Sequence, residues 1–307
     1  MVKTNIVVGS RGSKLALLQA ELVAAKIREI KPHLKVSISK VVTKGDRDRR
    51  TQLDRMPGVG IFVKELEEAL LDRQIDLAVH SLKDMPAEIS QGLSLLAVTE
   101  RLDPRDALVA KVKLDELSPG SSIGTGSLRR AVQLAQYRPH LKVSSIRGNV
   151  DTRLRKVASG EVDGVIVAVA GMLRLGWENR ITEYLPLEYF LPAVGQAALA
   201  VEARLDDEEL AELVSPINHL STWQSITAER AFLSVLGGGC RAPIAALGTV
   251  NDDTLRLEGM VASTSGKKII RASEEGSALA AKEVGRRLAQ KMLAMGADDI
   301  MAEAGAR

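Results

Sequence analysis

The chain has 307 residues, and its 42 lysine and arginine residues against 39 aspartate and glutamate residues leave a net charge of +3. This charge is too small to argue for a nucleic-acid partner, and an aromatic content of 3% leaves few side chains on which bases could stack. With 45% hydrophobic residues and no apolar run of membrane-spanning length, the composition indicates a soluble globular protein rather than a membrane protein. The single cysteine and the lack of a secretory segment before the first strand predict a cytoplasmic location.

The first third of the chain alternates strand-like and helical patterns. Strands are predicted at residues 5–9, 35–42 and 76–80, with one helix capped by Ser13 and another over residues 62–70. Alternation of this kind predicts parallel strands that are joined by right-handed crossovers.

The middle of the chain repeats this pattern, and the last third departs from it. Strands at 121–124, 141–146 and 165–169 alternate with helices at 127–137 and 150–158, and the segment 191–195 is expected to cross between lobes. From about residue 218 the pattern predicts a long helix, three antiparallel strands and a final helix, as in a small α+β domain. Their predicted ranges are 222–236, 245–250, 254–261, 267–272 and 277–295.

Residues 43–60 form a charged segment without apolar periodicity. Structureless segments of more than about 12–15 residues are uncommon unless they act as lids or binding loops or are disordered. A mobile lid and a solvated charged loop both fit this composition.

Polar residues follow several of the predicted strands, where ligands bind in parallel sheets. Two of these segments, ending at Ser13 and Ser127, are Gly/Ser turns into helices, whose N-termini favour anions. Neither matches a nucleotide-binding loop, because the phosphate-loop lysine and the third dinucleotide glycine are missing. What these segments share is arginine, which pairs with carboxylates and phosphates through two parallel hydrogen bonds. The arginines near strand ends are Arg11, Arg129, Arg130, Arg147 and Arg153, the last preferred to Arg155 because the two lie on different helix faces.

Two further residues carry potential chemistry. Asp84, next to Lys83, is the one acid–base candidate that follows a strand, with a surface ion pair as the alternative. Cys240 ends a run of three glycines, so it is a free nucleophile, an attachment point or an inert buried thiol. His219 is a weak candidate for its base, and the four histidines lack metal-ligand spacing, so no metal site is expected.

Taken together, these segments resemble the porphobilinogen deaminase (hydroxymethylbilane synthase) family over nearly the full length of the chain. The motifs that carry the resemblance lie at residues 9–13, 43–46, 62–66, 78–86, 101–107, 124–130, 146–153, 191–196, 228–233 and 238–243.

The resemblance implies an α/β fold of two parallel-sheet lobes, similar to type II periplasmic binding proteins, plus a small C-terminal α+β domain with an antiparallel sheet. It implies lobe 1 at residues 1–98 with 197–216, lobe 2 at 99–196, and the C-terminal domain at 217–307. The implied enzyme is a cytoplasmic monomer without nucleic-acid or membrane partners. It condenses four porphobilinogen units onto a covalent dipyrromethane cofactor with loss of ammonia, and then releases hydroxymethylbilane by hydrolysis.

The resemblance also assigns roles to residues. Cys240 would hold the dipyrromethane through a thioether, and Asp84 would be the catalytic carboxylate that stabilises charged pyrrole nitrogens and azafulvene intermediates. Asp46 and Phe62 would belong to the lid or border it. The residues implied to bind the acetate and propionate groups of substrate and cofactor, or to support that binding, are Arg11, Ser13, Ser81, Lys83, Thr125, Ser127, Arg129, Arg130, Arg147, Arg153, Arg174 and Gln196.

The chain departs from the family pattern at two positions. Gly126 stands where many members have serine, which would remove a hydroxyl contact, and Val59 stands where many have a lysine in the lid.

Three other functions fit parts of this sequence. A solute-binding protein would share the two lobes but would need no loop cysteine and would normally carry a secretion signal. A nucleic-acid-binding protein would use the arginines but would show salt-dependent binding to single strands. A cysteine hydrolase would lose activity on alkylation without carrying a coloured adduct.

Overall fold

The structure is a computed structural model that describes residues 4–43, 63–237 and 243–303. Its strands are β1 (Asn5–Arg11), β2 (Lys35–Val41), β3 (Leu77–Ser81), β4 (Leu93–Val98), β5 (Asp106–Ala110), β6 (Ser122–Gly124), β7 (Lys142–Ser144), β8 (Gly164–Ala168), β9 (Glu183–Tyr184), β10 (Leu199–Arg204), β11 (Ile244–Asn251), β12 (Thr254–Ala262) and β13 (Ile269–Ser277). Its α-helices are α1 (Lys14–Ile30), α2 (Lys64–Leu71), α3 (Leu128–Tyr137), α4 (Val150–Ala158), α5 (Val169–Arg174), α6 (Glu208–Val214), α7 (Leu220–Leu236), α8 (Ala281–Met292) and α9 (Asp298–Glu303).

The chain falls into two compact units. The described part of unit 1 comprises residues 4–43, 63–102 and 198–223, and that of unit 2 comprises residues 103–197, 224–237 and 243–303. The implied division into two lobes and a separate C-terminal domain stays a prediction.

Unit 1 is built on a five-stranded sheet in the order β2-β1-β3-β10-β4. The first three strands are parallel, and β10 runs antiparallel to both β3 and β4. Helix α1 packs its apolar face, including Val23 and Ile27, against the strands to form one core cluster, while α2 packs Leu66 and Leu70 into another. The parallel β1–β3 pair brings the carboxyl ends of those two strands to the same edge of the sheet.

Unit 2 contains a second sheet with the same arrangement, in the order β7-β6-β8-β5-β9. Here β7, β6 and β8 are parallel, and β5 is antiparallel to β8 and to β9. The same unit contains a three-stranded antiparallel sheet, β11-β12-β13, whose core includes Phe232 of α7 and Leu288 of α8.

The predicted fold class is confirmed, with one correction. Both lobe sheets are mixed rather than purely parallel, because β10 and β5 enter them in the opposite direction. The sequence pattern did not predict strand β10. All six of its residues are buried, so apolar and polar residues do not alternate along it, and its Ala, Glu and Arg residues are good helix formers. In the part of the chain that the structure describes, no helix is both long and apolar enough to cross a bilayer.

Candidate active site

The carboxyl ends of β1 and β3 carry the predicted site residues of unit 1. Arg11 is the last residue of β1, and Asp84 closes the short 3₁₀ turn Leu82–Asp84 that directly follows β3. The Nη1 atom of Arg11 lies 4.0 Å from Oδ2 of Asp84, and their side chains are 19% and 38% exposed. Lys83, on the same turn, is partly exposed between the buried Leu82 and Met85. This edge therefore presents one accessible carboxylate beside a guanidinium.

The two predicted serines of this edge make hydrogen bonds within the fold. Ser13 is the N-cap of α1, and its Oγ accepts a hydrogen bond from the Ala16 N–H at 3.2 Å, as the sequence predicted. Ser81 exchanges hydrogen bonds with the side-chain amide of Gln19, which is 3% exposed on α1, at 2.9 and 3.1 Å. Ser13 thus caps the helix that follows β1, and Ser81 ties the end of β3 to that same helix.

In unit 2, the turn from β6 into α3 has a comparable construction. Thr125 is buried, and its Oγ1 accepts a hydrogen bond from the Ser127 N–H at 3.1 Å. Ser127 is the N-cap of α3, with its Oγ accepting from the Arg130 N–H at 3.5 Å. This geometry orients the first turn of α3, which carries Arg129 and Arg130.

Arg129 and Arg130 meet at Asp106, the fully buried first residue of β5. Arg129 Nη2 donates to Asp106 Oδ2 at 2.8 Å, and Arg130 Nη2 donates to Asp106 Oδ1 at 2.7 Å. Each arginine is 5% exposed and also donates to a backbone carbonyl, that of Leu191 for Arg129 and that of Ile166 for Arg130. This buried group of Asp106, Arg129 and Arg130 is called the Asp106 cluster below.

The Asp106 cluster carries more positive than negative charge. Burial alone would raise the pKa of Asp106, but the charges of Arg129 and Arg130 hold that pKa well below its usual range. Two guanidiniums therefore share one carboxylate. Nε of Arg130 is buried without a hydrogen-bond partner among the described residues. A second anion would be favoured beside such a cluster.

Gln196 extends the Asp106 cluster to the segment that precedes β10. Its Nε2 donates to Asp106 Oδ1 at 2.8 Å and to the carbonyl of Pro104 at 2.7 Å. The residue is 1% exposed, so its amide fixes the backbone from inside the unit.

Arg174, at the end of α5, is a second partly buried cation. Its Nη2 donates to the carbonyl of Ala197 at 2.7 Å, and Ala197 has a positive φ of 78°. Its Nε is buried without a partner, and burial lowers the pKa of Arg174 to about 10. No carboxylate of the described residues pairs with this guanidinium, which again favours an anionic ligand.

Arg147 and Arg153 lie around the turn that follows β7. Arg153 Nε donates to the carbonyl of Gly148 at 2.9 Å, while Arg155 pairs with Asp151 on a side chain that is 74% exposed. Arg153 is therefore directed to the turn and Arg155 to solvent, which is the difference that the helical spacing predicted.

Several predicted residues lie outside the described part of the chain. These are Cys240, the lid residues Asp46 and Phe62, and the divergent Val59. For the remaining predicted residues, each unit gathers its own set: Arg11, Ser13, Ser81, Lys83 and Asp84 in unit 1, and Thr125, Ser127, Arg129, Arg130, Arg147, Arg153, Arg174 and Gln196 in unit 2.

Sequence reasoning missed Asp106 and Gln19. The sequence does contain an indication of the role of Asp106. An acidic residue at the start of the apolar run 107–110 needs a cation as partner if it is buried, and the consecutive residues Arg129 and Arg130 could supply one. The sequence contains no such indication for Gln19, because a glutamine within a helix does not reveal its tertiary partner.

Comparisons with known proteins agree on one family. A family model described as "Porphobilinogen deaminase, dipyromethane cofactor binding domain" matches residues 6–212, and one described as "Porphobilinogen deaminase, C-terminal domain" matches residues 223–294. The chain belongs to the porphobilinogen deaminase family. Curated porphobilinogen deaminases from Geobacter metallireducens and Bacillus subtilis are 45% and 47% identical to it. These alignments cover 99% and 98% of this chain and 96% of each relative.

Solved structures outside the family give a weaker likeness. The methionine-binding protein MetQ superposes with a TM-score of 0.42 at 15% identity, covering 72% of this chain and 91% of that one. A superposition of this quality carries no argument about function.

The residues present fit the dipyrromethane cofactor that this family binds. Such a group carries several carboxylates. The Asp106 cluster has an excess guanidinium charge, and Arg174 has none of the described carboxylates as its partner. Unit 2 therefore offers what a polycarboxylate requires, which is buried and fixed guanidinium groups.

We predict that Asp106→Ala lowers the free energy of unfolding by about 3–5 kcal/mol, because it leaves two buried guanidiniums without their carboxylate. Asp103→Ala, which removes a partly exposed ion pair with Arg105, is the control and should cost about 1 kcal/mol or less. Urea unfolding of both variants measures the difference.

The Asp106 effect should depend on pH. Since folding lowers the pKa of Asp106, its stabilisation is complete above the unfolded pKa of about 3.9 and is lost as the pH falls towards the folded value. The difference in free energy of unfolding between wild type and Asp106→Ala should therefore be constant near neutral pH and become smaller below about pH 4. A gap that stays constant into acid would contradict the assigned charge state.

Gly126, where the chain departs from the family pattern, lies against the turn after β7. A Cβ added at Gly126 would stand 2.7 Å from the carbonyl oxygen of Ile146 and 4.0 Å from Nη2 of Arg153. The first contact is too short, and its partner is backbone, so a side chain here would have to displace the segment that leads to Arg147.

We predict that both Gly126→Ala and Gly126→Ser destabilise the chain by about 1–3 kcal/mol, the usual range for overpacking a filled site. The two variants separate two effects, because both add a Cβ but only serine could restore a hydroxyl contact. Thermal unfolding measures the effect of the Cβ, and the KM for porphobilinogen measures the effect of the hydroxyl. A serine variant as stable as wild type with a lower KM would show that the position is open to a side chain.

Proposed function

We propose that this chain is a porphobilinogen deaminase, which condenses four porphobilinogen units onto a dipyrromethane held by Cys240 and releases hydroxymethylbilane. The observation that supports this best is the distribution of charge between the two sets of residues. Buried arginines in unit 2 exceed the carboxylates that they contact, whereas the strand edge of unit 1 presents Asp84 beside Arg11. A growing chain of pyrroles with two carboxylates each requires many cations and few anions.

The arginines bind and orient the substrate. Arg129 and Arg130 are held by hydrogen bonds to Asp106 and to backbone carbonyls. Arg174 is held by a hydrogen bond to the carbonyl of Ala197, so all three guanidinium groups are oriented before a ligand arrives. Fixed donors lose little conformational entropy on binding and hold the reacting carbons in place. Arg11, Arg147 and Arg153 are more exposed than Arg129 and Arg130 and would follow the carboxylates as the product lengthens.

Asp84 carries the chemistry in this proposal. Each addition breaks the C–N bond to the substrate's amino group, which takes up a proton and leaves as ammonia. It forms a C–C bond at the free α-carbon of the terminal pyrrole, and the hydrogen of that carbon leaves as a proton, so the two protons balance. Positive charge develops on a pyrrole nitrogen during this exchange, and the Asp84 carboxylate would stabilise that charge and relay the proton. The dipyrromethane, when bound, supplies the pyrrole carbon to which the first substrate unit is joined.

The remaining assignments belong to the same proposal. Lys83, Ser13, Ser81, Thr125, Ser127 and Gln196 would contact carboxylates or hold the groups that do. Asp46 and Phe62 would border a lid. The enzyme would be a cytoplasmic monomer without a nucleic-acid partner, arranged as two lobes and a C-terminal domain.

The cofactor assignment is tested by intact mass. The purified chain should carry the added mass of two porphobilinogen-derived pyrrole units, and a Cys240→Ser variant should carry none. If the wild type is unmodified, incubation with porphobilinogen should produce the adduct. A wild type that never acquires it, or a serine variant that does, would refute attachment at Cys240.

The catalytic assignment is tested by Asp84→Ala. This variant should fold and acquire the adduct, but its kcat should fall by about 10²–10⁴-fold, the range for loss of a general acid–base group. Glu88→Ala, an exposed carboxylate four residues further along, is the matched control and should turn over normally. Wild-type kcat in Asp84→Ala would remove this residue from the mechanism.

A further inference from the structure

A buried histidine–carboxylate pair lies in the sheet of unit 1, directly before the segment that carries Asp84. His80, in β3, is 4% exposed, and Glu202, in β10, is 0% exposed. His80 Nε2 donates to Glu202 Oε2 at 3.0 Å. The proposed mechanism uses neither residue, although His80 precedes Ser81 and lies four positions before Asp84.

The register of the sheet explains why these two side chains meet. In the antiparallel β3–β10 pair, Ala200 is opposite His80 and Glu202 is opposite Ala78, so His80 and Glu202 are diagonal neighbours on one face. The pairing of β10 with β4 shifts register between Val201 and Glu202. Irregularities of this kind bend a strand and redirect a side chain, and they are common beside active sites.

A second carboxylate lies behind the pair. Glu67 of α2 is 8% exposed, and Ser90 Oγ donates to its Oε2 at 2.8 Å. Burial raises the pKa of Glu67, and the nearby charge of Glu202 raises it further. The Oε1 atoms of Glu67 and Glu202 are both buried and have no partner among the described residues. The surroundings of His80 therefore contain more acid than its imidazole can pair.

Such a cluster is a poor way to stabilise a fold. Exchange of a buried ion pair for apolar residues of similar volume is often neutral or stabilising, because desolvation offsets the attraction between the charges. Apolar residues in place of the pair would have apolar neighbours, since Ala78, Leu66 and Leu70 pack on this face. The face also carries the buried Arg204, whose Nη1 donates to the carbonyls of Leu70 and Ile75. The presence of the His80–Glu202 pair is better explained by the backbone segment that its directional hydrogen bond holds in place.

What it holds is the last part of β3. Successive side chains of a strand point to opposite faces, so His80 and Ser81 face opposite sides of the sheet. Ser81 is bonded to Gln19 on the α1 side, and His80 is bonded to Glu202 on the other. The strand is thus fixed from both faces at the two residues before the turn Leu82–Asp84 begins.

We propose that the His80–Glu202 pair is a positioning group that fixes the backbone of residues 81–84 and thereby the place of the Asp84 carboxylate. The proposal rests on the function proposed above for its kinetic consequence, but its structural part stands without it. Misplacement of a catalytic group by about 1 Å can cost on the order of 10²-fold in rate, so even a small relaxation of this strand end should be measurable.

The test compares a double variant, His80→Leu with Glu202→Met, with the single variant His80→Gln. The double variant removes the hydrogen bond and both polar groups together, so it leaves neither partner buried alone. His80→Gln puts an amide N–H near the position of Nε2 and retains a donor to Glu202. The control is the double variant Lys64→Leu with Glu68→Met, which removes an exposed ion pair on α2 in the same unit.

We expect the His80/Glu202 double variant to melt within a few degrees of wild type but to lose at least about tenfold in kcat, with KM within about twofold. Its backbone amides at residues 81–85 should exchange with deuterium faster than those of wild type in the absence of substrate. His80→Gln should recover most of the kcat, and the control should match wild type in every measurement.

Three results would overturn the proposal. A folded double variant with wild-type kcat would show that the pair has no role in the reaction, and unchanged exchange at residues 81–85 would show that it does not fix the strand end. A double variant that does not fold would make the pair a requirement of the fold itself. If the wild-type chain does not turn over porphobilinogen, the proposed function fails, and the exchange measurement still decides whether the pair positions this segment.

Discussion

The contact of two guanidiniums with one buried carboxylate, in the Asp106 cluster, is the constraint on which the site in unit 2 depends. Asp106 lies at the start of β5, Arg129 and Arg130 lie in the first turn of α3, and Gln196 lies before β10. A carboxylate at zero exposure is tolerated only because these donors surround it. The same donors are thereby oriented, so the interaction that makes burial of Asp106 tolerable also fixes the arginines. In the proposed function, stability and ligand binding are coupled at this point, because neither arginine can be reoriented without leaving the buried carboxylate of Asp106 without one of its partners.

Unit 1 uses a different arrangement at its strand edge. Asp84 is partly exposed on a short 3₁₀ turn, and its ionic neighbour among the described residues is Arg11 at 4.0 Å, so its position depends on the strand that precedes it. That strand is bonded on one face by Gln19 and on the other by Glu202. The proposed binding groups of unit 2 are thus held directly by hydrogen bonds to their own side chains, whereas we infer that the carboxylate of unit 1 is held indirectly through its backbone. An accessible catalytic group needs such indirect support, because side-chain bonds to the protein would occupy the oxygens that the substrate must reach.

Much of this could be anticipated from local pattern. The N-caps at Ser13 and Ser127 follow from Gly/Ser turns before apolar periodicity, and helix α4 begins and ends at the residues that the sequence predicts. The antiparallel strands β10 and β5 could not be anticipated, since a strand buried on both faces has no alternation and its direction depends on a partner distant in the chain. The predicted arginines were identified as cations near strand ends. That two of them share Asp106, and that Arg174 donates to the backbone of Ala197, depends on contacts over 23 to 24 residues that no local pattern encodes.

The family, the fold class and the residue types of the site follow from the amino-acid sequence alone, because motifs of glycine, arginine and aspartate in a fixed order reflect local backbone geometry and chemistry that act over a few residues. Which of those residues are buried, which charges are already paired and which side chains support others is known only from the folded chain. Gly126 illustrates the difference. The sequence shows only that a serine hydroxyl is missing at this position, whereas the structure shows that the carbonyl oxygen of Ile146 leaves too little room for any side chain. Burial and pairing depend on segments distant in the chain, and their energies are set by desolvation, which exists only once the core has formed.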